Sequence, residues 1–550
     1  FKNWSSSTNA RAGKWNRFAL TGYEEDGNGG YTYTTSRIGD EFQTDLTATN
    51  STSGDRRFYL EGMLNYSRTF DEHDINAMFI YSQDEYVNNV PGNGNFIGSL
   101  PKRKQGVAAR ASYAYAGKYM AEVNVGYNGS ENFAKGHRFG LFPSVAVGYN
   151  ISEENFFKPL KNTISKLKLR ASWGLVGNDQ ISDARFLYMS QINLSGKGFT
   201  TGVNQNVTYS GPVYQRYANE DITWEVGEKI NFGVDLQLFR SLDLTFDIFR
   251  ENRRDIFQEK QTVPTYMGTA STKVYGNLAA MRNQGFELAA SYNKQFNKDW
   301  FVSFKGTFTY AHNEITKYDE SPKYPWQSKV GASANMNAIY IADGLFIDSE
   351  DIAHHQQQLG STIVPGDIKY VNVSRDWYGY DDNLTDTDDW VWAKYPSVPE
   401  IVYGFGPSIK WKNLDFSFFF QGVAKTSFMV KDMHPFGDNS LRNVLSWIAD
   451  ERWSPDNQNT NATYPRLSRK TNANNTKLST YWQRNGAFLK LKNAEIGYTH
   501  KNMRIYISGS NLLTFAPFKL WDPEQGGGSG LSYPTQRVFN IGFQMTINNK

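Results

Sequence analysis

Apolar and polar residues alternate one by one through long stretches of this chain. In Lys166-Leu167-Lys168-Leu169-Arg170-Ala171-Ser172-Trp173 every second residue is apolar. Ile230, Phe232, Val234, Leu236 and Leu238 keep the same beat, with Asn231, Gly233, Asp235 and Gln237 between them. Beyond Arg240-Ser241, the apolar Leu242, Leu244, Phe246 and Ile248 alternate with Asp243, Thr245 and Asp247. Val302–Tyr310, Leu414–Phe420 and Phe539–Ile547 repeat the pattern, the last with Gln544 on its polar side. A side-chain period of two is the period of a strand with one apolar and one polar face.

The gaps between these strands fall into two classes. Tight turns are predicted near Phe70–His73, Gly117-Lys118, Arg240-Ser241, Asn297–Asp299, Lys412-Asn413 and Lys501-Asn502. Long gaps are predicted over 88–104, 178–222, 258–281, 313–400, 429–485 and 516–535. The two classes alternate, as they do in outer-membrane barrels, where tight turns lie in the periplasm and long loops outside the cell. The connection over 151–163 belongs to the periplasmic class but is not tight. In all, roughly 16 to 18 strands of about 10 residues are expected. Leu489 and Leu491 change phase to Ala494, Ile496 and Tyr498, which predicts a β-bulge. Ser440–Glu451 is the one helical candidate, inside a long loop. The fold class is therefore all-β, a transmembrane antiparallel β-barrel with long extracellular loops.

Composition narrows this reading. Aromatics make up 15% of the 550 residues, which suits interfacial girdles and equally a carbohydrate-binding β-protein. The 58 basic and 55 acidic residues nearly cancel, and no basic stripe tracks a phosphate backbone, so no nucleic acid is expected. No unbroken apolar run approaches the ~18 residues of a transmembrane helix. With no cysteine there is neither disulfide nor thiol chemistry. Phe1-Lys2-Asn3-Trp4-Ser5 reads as loop, not as a leader, so the chain is expected to be processed or a fragment.

Several segments together resemble one family. They are Leu167–Gly174 with Gly177-Asn178, Trp224-Glu225 leading into Asn231–Asp235, Asn283–Leu288, and Pro365-Gly366-Asp367-Ile368-Lys369-Tyr370. Tyr403–Gly406, Phe488–Asn493, Ser510–Leu513, Trp521-Asp522-Pro523-Glu524 and Tyr533-Pro534 complete the series. In this order the chain resembles the SusC/RagA family of TonB-dependent transporters from Bacteroidota. The resemblance implies a barrel of about 22 strands, an N-terminal plug in its lumen, contact with TonB–ExbB–ExbD, and a SusD-like surface lipoprotein as lid. Signal peptide, TonB box, plug and first strands are not recognised in residues 1–550, so the chain is read as the C-terminal barrel portion. The implied function is energised import of a large nutrient across the outer membrane of a Gram-negative cell. An oligosaccharide comes first and an oligopeptide second. A passive porin and a surface glycan-binding β-protein are the alternatives.

The candidate site residues follow from this frame. Loop aromatics Trp326, Trp377, Tyr378, Tyr380, Trp390, Trp392 and Trp447 are candidate ligand contacts, or else pack loops together or against a lid. Lys168, Arg170, Asn231, Asp235, Gln237, Asp243, Asp247 and Lys305 are expected to face the lumen, lining a hydrated path. The resemblance raises calcium, but Val371–Asp382 breaks the family's ligand spacing and puts Arg375 among the positions. Asp381 and Asp382, with Asp386, Asp388 and Asp389, remain metal candidates, against a solvated acidic loop. Neither cofactor nor enzymatic activity is expected. His354-His355, read as strand neighbours, point to opposite faces and chelate poorly. Gly526-Gly527-Gly528-Ser529-Gly530, read as a flexible loop tip, lacks the Lys-Ser/Thr of a phosphate loop.

Overall fold

The computed structural model describes residues 2–11, 17–27, 29–39, 46–88, 96–264, 266, 272–358, 362–374, 383–431, 445–468 and 472–547. Two compact units divide the chain. The smaller comprises Phe1–Leu64, Phe79–Ala108 and Tyr127–Glu131. In it, Lys2–Arg11 pairs antiparallel with the first part of Leu46–Phe70, Lys2 opposite Asp55 and Arg11 opposite Leu46. A separate hairpin joins Arg17–Glu25 to Tyr31–Ile38. Glu85 holds Arg56 at 3.2 Å and Arg103 at 2.8 Å, tying three strands together.

The larger unit comprises Asn65–Met78, Ala109–Gly126 and Asn132–Lys550. Its main strands from residue 139 onward are Phe139–Asn150, Ile164–Asn178, Glu225–Leu238, Leu242–Glu259, Tyr275–Gln295 and Trp300–Lys317. Ile401–Trp411, Leu414–Ala424, Phe488–His500, Met503–Phe515 and Val538–Met545 follow. Each pairs antiparallel with the next, and the main sheet orders 16 strands among the described residues. That number falls within the expected range.

Register explains why the alternation matters. Residues directly opposite share a face. Val234 lies opposite Phe246, Phe246 opposite Leu288, Leu288 opposite Phe308, and Phe308 opposite Tyr403. On the later strands Ile496 lies opposite Ile507 and Ile507 opposite Ile541. This apolar face has no protein cover: Ile248, Phe232 and Ile541 are all exposed. So large an apolar surface is unfavourable in water and needs lipid against it. Hydrogen-bonded strands cross lipid without unsatisfied backbone groups. Among the described residues no helix is long and apolar enough to cross a membrane. Aromatic rings gather at the tight-turn ends. Tyr119 stacks on Tyr149 at 5.0 Å, and Trp300 meets Trp411 at 5.7 Å. That is where a bilayer interface favours them.

All six predicted tight turns are present, between strands ending and starting at 70/73, 115/119, 238/242, 295/300, 411/414 and 500/503. The bulge is also found. Lys492 has no partner residue where Phe419 faces Asn493 and Phe420 faces Leu491. Three features differ from the sequence reading. The 258–281 gap narrows because its flanking strands run on to Glu259 and start at Tyr275. The 178–222 gap contains a hairpin, Gln191–Thr201 with Val207–Arg216. And the opposite end of the sheet has one short connection, 131–138, closed over Phe133, which is fully buried beside Trp224. The 151–163 connection is two short 3-10 helices, Ile151–Glu153 and Asn155–Leu160.

Candidate functional site: the loop shell and the polar face

Long loops at one end of the larger unit fold onto each other. Leu345, Ile368, Tyr370, Val430, Ile448, Trp453, Tyr464, Trp482 and Phe518 form one buried cluster drawn from three separate loops. Hydrophobic burial is the main drive for such a cluster. Polar groups fix its geometry. Asp367 has no exposed surface, and its Oδ1 accepts from Asn472 and Asn475, both at 2.9 Å. Its Oδ2 accepts from the Val364 amide at 3.0 Å and from Arg466 Nη2 at 3.2 Å. A buried carboxylate is tolerable only with this degree of pairing. Asn475 Oδ1 in turn accepts from the Ile368 amide at 2.9 Å. The turn that delivers Asp367 needs Gly366, at φ 84°, where a Cβ would lie 2.2 Å from the Trp453 ring. Gln358 and Asn474 clamp Tyr370, whose amide donates to Gln358 Oε1 at 2.6 Å and whose hydroxyl donates to Asn474 O at 2.7 Å. Burial pushes the Tyr370 hydroxyl far above its ordinary pKa.

A second clamp joins a loop to the barrel wall. Lys490, on the Phe488–His500 strand, is fully buried and pairs with Asp522 at 2.5 Å and Glu524 at 2.7 Å. Lys492 adds a contact to Glu524 at 2.8 Å. Burial is the largest single influence and would raise both acids, but the lysine hydrogen bonds and charges, with the Glu524 amide at Asp522, together outweigh it and hold both below the usual carboxylate range. The glycine run that follows is no loose tip. Gly528 N donates to Met429 O at 2.9 Å, and Lys431 N donates to Gly528 O at 3.0 Å. A Cβ on Gly527 would lie 2.5 Å from Met429 O, so backbone meets backbone there.

The predicted aromatics that the structure describes are engaged within this shell. Trp326 stacks on Tyr324 at 4.6 Å and donates to Asp388 O at 3.2 Å. Trp390 meets Trp392 edge-on at 5.2 Å, and Trp392 donates to Ser328 O at 2.6 Å. Trp447 packs on the buried cluster, edge-on to Tyr464 at 6.0 Å. It lies on helix Ser446–Glu451, the described part of the predicted helix. Trp377, Tyr378, Tyr380, Asp381 and Asp382 lie outside the described residues.

Asp389 is not solvated, as an acidic surface loop would have it. It is fully buried and accepts from the amides of Val373, Ser374 and Asp386 at 2.7–2.8 Å. Asp386 Oδ1 accepts from the Asp388 amide at 2.7 Å, and Asp388 pairs with Lys323. These acids organise backbone. Among the described residues no group of three His, Asp or Glu side chains is arranged for a metal ion. His354 and His355 follow helix Ser349–Ala353, not a strand, and each Nδ1 lies 2.8–2.9 Å from a backbone carbonyl.

The polar sheet face gathers the other candidates. Lys168 lies opposite Asp235, Gln237 opposite Asp243, and Ser291 between Asp243 and Lys305. Asn231 keeps the same phase as Asp235 along its strand. Gln237 donates to Asp243 at 2.8 Å. Arg170 spans three strands, meeting Asp235 twice at 3.1 Å and Asp247 at 3.1 Å. It passes over Gly233, where a Cβ would lie 2.7 Å from its Nη2. Sequence reading missed that the same device recurs. Arg504 passes over Gly497 to Asp415, with Nε at 3.2 Å, and meets Glu495 at 2.5 Å. The signal was there as a glycine opposite an aspartate, but a whole strand lies between each arginine and that aspartate. The polar face is also concave. A cavity of about 730 Å³ is lined by Ser303, Lys305, Ser408, Ser417, Glu495 and Asn540 among others.

These features have counterparts. The family model described as TonB dependent receptor-like, beta-barrel matches residues 1–512. The chain belongs to the TonB-dependent receptor-like β-barrel family. It is 25% identical over 543 residues to TonB-dependent receptor P3 of Formosa agariphila, covering 88% of this chain and 52% of that protein. It is 25% identical over 461 residues to TonB-dependent receptor SusC of Bacteroides thetaiotaomicron, covering 79% of this chain and 43% of SusC. A solved structure of the RagAB peptide importer in its open-open state matches with a TM-score of 0.69 at 21% identity, over 93% of this chain and 57% of that one. This TonB-dependent receptor barrel thus spans about half the length of its curated relatives. The SusC/RagA resemblance drawn from the motifs agrees with these matches. So does the outer membrane as its location.

Proposed function

We propose that this barrel works in active, TonB-dependent import of a large nutrient, as a transporter and not as an enzyme. Family membership over residues 1–512 supports that reading. The substrate we favour is an oligosaccharide, because half-buried indole faces line the loop shell and sugar rings stack on such faces. The named function of RagAB, peptide import, gives the second reading, an oligopeptide. A SusD-like lipoprotein would close the loop end, and TonB–ExbB–ExbD would supply energy from the periplasm.

Uptake tests this directly. Cells carrying the complete receptor are offered labelled oligosaccharides and oligopeptides, with and without functional TonB. TonB-dependent accumulation of glycans is expected. Accumulation of peptides alone would replace the first substrate class with the second. Uptake that persists without TonB would identify a passive channel and sink the active-transport reading.

A further inference from the structure

The 151–163 connection is the untidy member of the tight-turn end, longer than the true turns and carrying two exposed apolar side chains. Phe156 is 69% exposed and Leu160 is 49% exposed, while Phe157 between them is buried. Two short 3-10 helices carry them. The segment is pinned in place at both ends. Glu154 accepts from the Tyr119 hydroxyl at 2.6 Å, the Tyr149 hydroxyl at 3.4 Å and Lys118 Nζ at 3.2 Å. Tyr149 shares the apolar face, since it lies opposite Leu169, which lies opposite Val234. At the other end Thr163 O accepts from the amide of Phe239, itself exposed.

The connection therefore hangs from the interfacial tyrosines, continuous with the lipid-facing surface. Apolar side chains displayed there gain by entering the bilayer boundary. Lysines next to them keep their charge at headgroup level while their stems lie along apolar surface. Lys158 stands between Phe156 and Leu160 in sequence, and Lys161 follows while bridging Glu153 at 3.0 Å.

We propose that the 151–163 connection is a foot resting on the phospholipid leaflet at the tight-turn end of the barrel. Phe156 and Leu160 enter the acyl-chain boundary, and Lys158 meets headgroup phosphates. The foot presupposes the membrane-spanning reading of the sheet and goes beyond it.

Residues 1–550 have no cysteine, so once any cysteine elsewhere in the protein is replaced, single-cysteine variants take a nitroxide label at one place. Phe156→Cys and Leu160→Cys are made in the complete outer-membrane protein and placed in phospholipid nanodiscs. Collision rates with oxygen and with a water-soluble nickel chelate are then compared. Ile248→Cys marks the lipid-facing wall, and Lys501→Cys marks a turn in water. Oxygen-to-nickel ratios at 156 and 160 several-fold above that at 501 are expected. Ratios equal to that at 501, with 248 still reading lipid, would overturn the foot alone. Shielding from both reagents would report a protein contact and also overturn it. Water access at 248 would overturn the wall and the foot together. Folding is checked by gel mobility before and after boiling, and either labelled position suffices if the other variant does not fold.

Discussion

Lys490 shows how much one side chain decides. Its ammonium has no solvent contact, and both carboxylate partners come from the single loop after Phe515. Lys490→Met leaves Asp522 without its cation and Glu524 with Lys492 alone. The expected cost is about 2 kcal/mol, below the figure for a wholly buried pair because both acids are partly wet. Hydrogen exchange over 516–537 should rise in that variant and stay unchanged elsewhere in the shell. Acid should act the same way. Asp522 and Glu524 have pKa values lowered in the folded state, so their contribution is complete above the ordinary carboxylate pKa and is lost as pH falls through the folded values. The loop should hold through neutral and mildly acidic pH and loosen only below about pH 4. Loosening already at pH 6 would count against the clamp. On the polar face, Gly233→Ala puts a methyl where Arg170 crosses to Asp247. A loss of about 1 kcal/mol is expected. The loss should be smaller in an Arg170→Met background, where the crossing guanidinium is gone and only the Asp247 carboxylate, 2.5 Å from the Cβ position, has to give. Additive effects in that double-mutant cycle would rule out the crossing as the cause.

Strands and turns were the legible elements. Strand positions follow from a period of two that lipid on one side and water on the other impose on every residue. Arg240-Ser241 could be read as a turn because the alternation resumes in phase on both sides. What could not be read is that Phe239 and Arg240 both take positive φ, at 51° and 55°, without glycine. Arg240→Gly should stabilise the protein by roughly 0.5 kcal/mol, the left-handed strain relieved less the extra freedom of the unfolded chain. Resistance to urea measures it, and destabilisation would mean that the arginine side chain contributes more than its backbone strain costs. The loop elements were illegible for a different reason. Asp389 and Asp367 sit in polar, aperiodic sequence that resembles solvated loop, yet both are fully buried. Their donors are backbone amides near and far, with Arg466, Asn472 and Asn475 from another loop, and no local pattern announces them. The asparagines at 472, 474 and 475 were the one compositional hint.

At the scale of the whole molecule, the apolar face and the loop shell make separate demands. The face requires lipid or detergent, so the folded protein should stay detergent-dependent and change its gel mobility on boiling. Solubility without detergent would contradict the barrel. The shell requires its own parts. Ile368, Val430, Trp482 and Phe518 come from three excursions of the chain but belong to one cluster. Surface loops are usually imagined as free to drift one at a time. Here they are not, because a new residue in one excursion must find room among residues of two others. Ancestry should show in that constraint: the excursions are inherited as a set. A graft of residues 338–393 alone from a relative should misfold at its mouth, while a graft that brings all three excursions together should keep its shape and carry the donor's appetite with it.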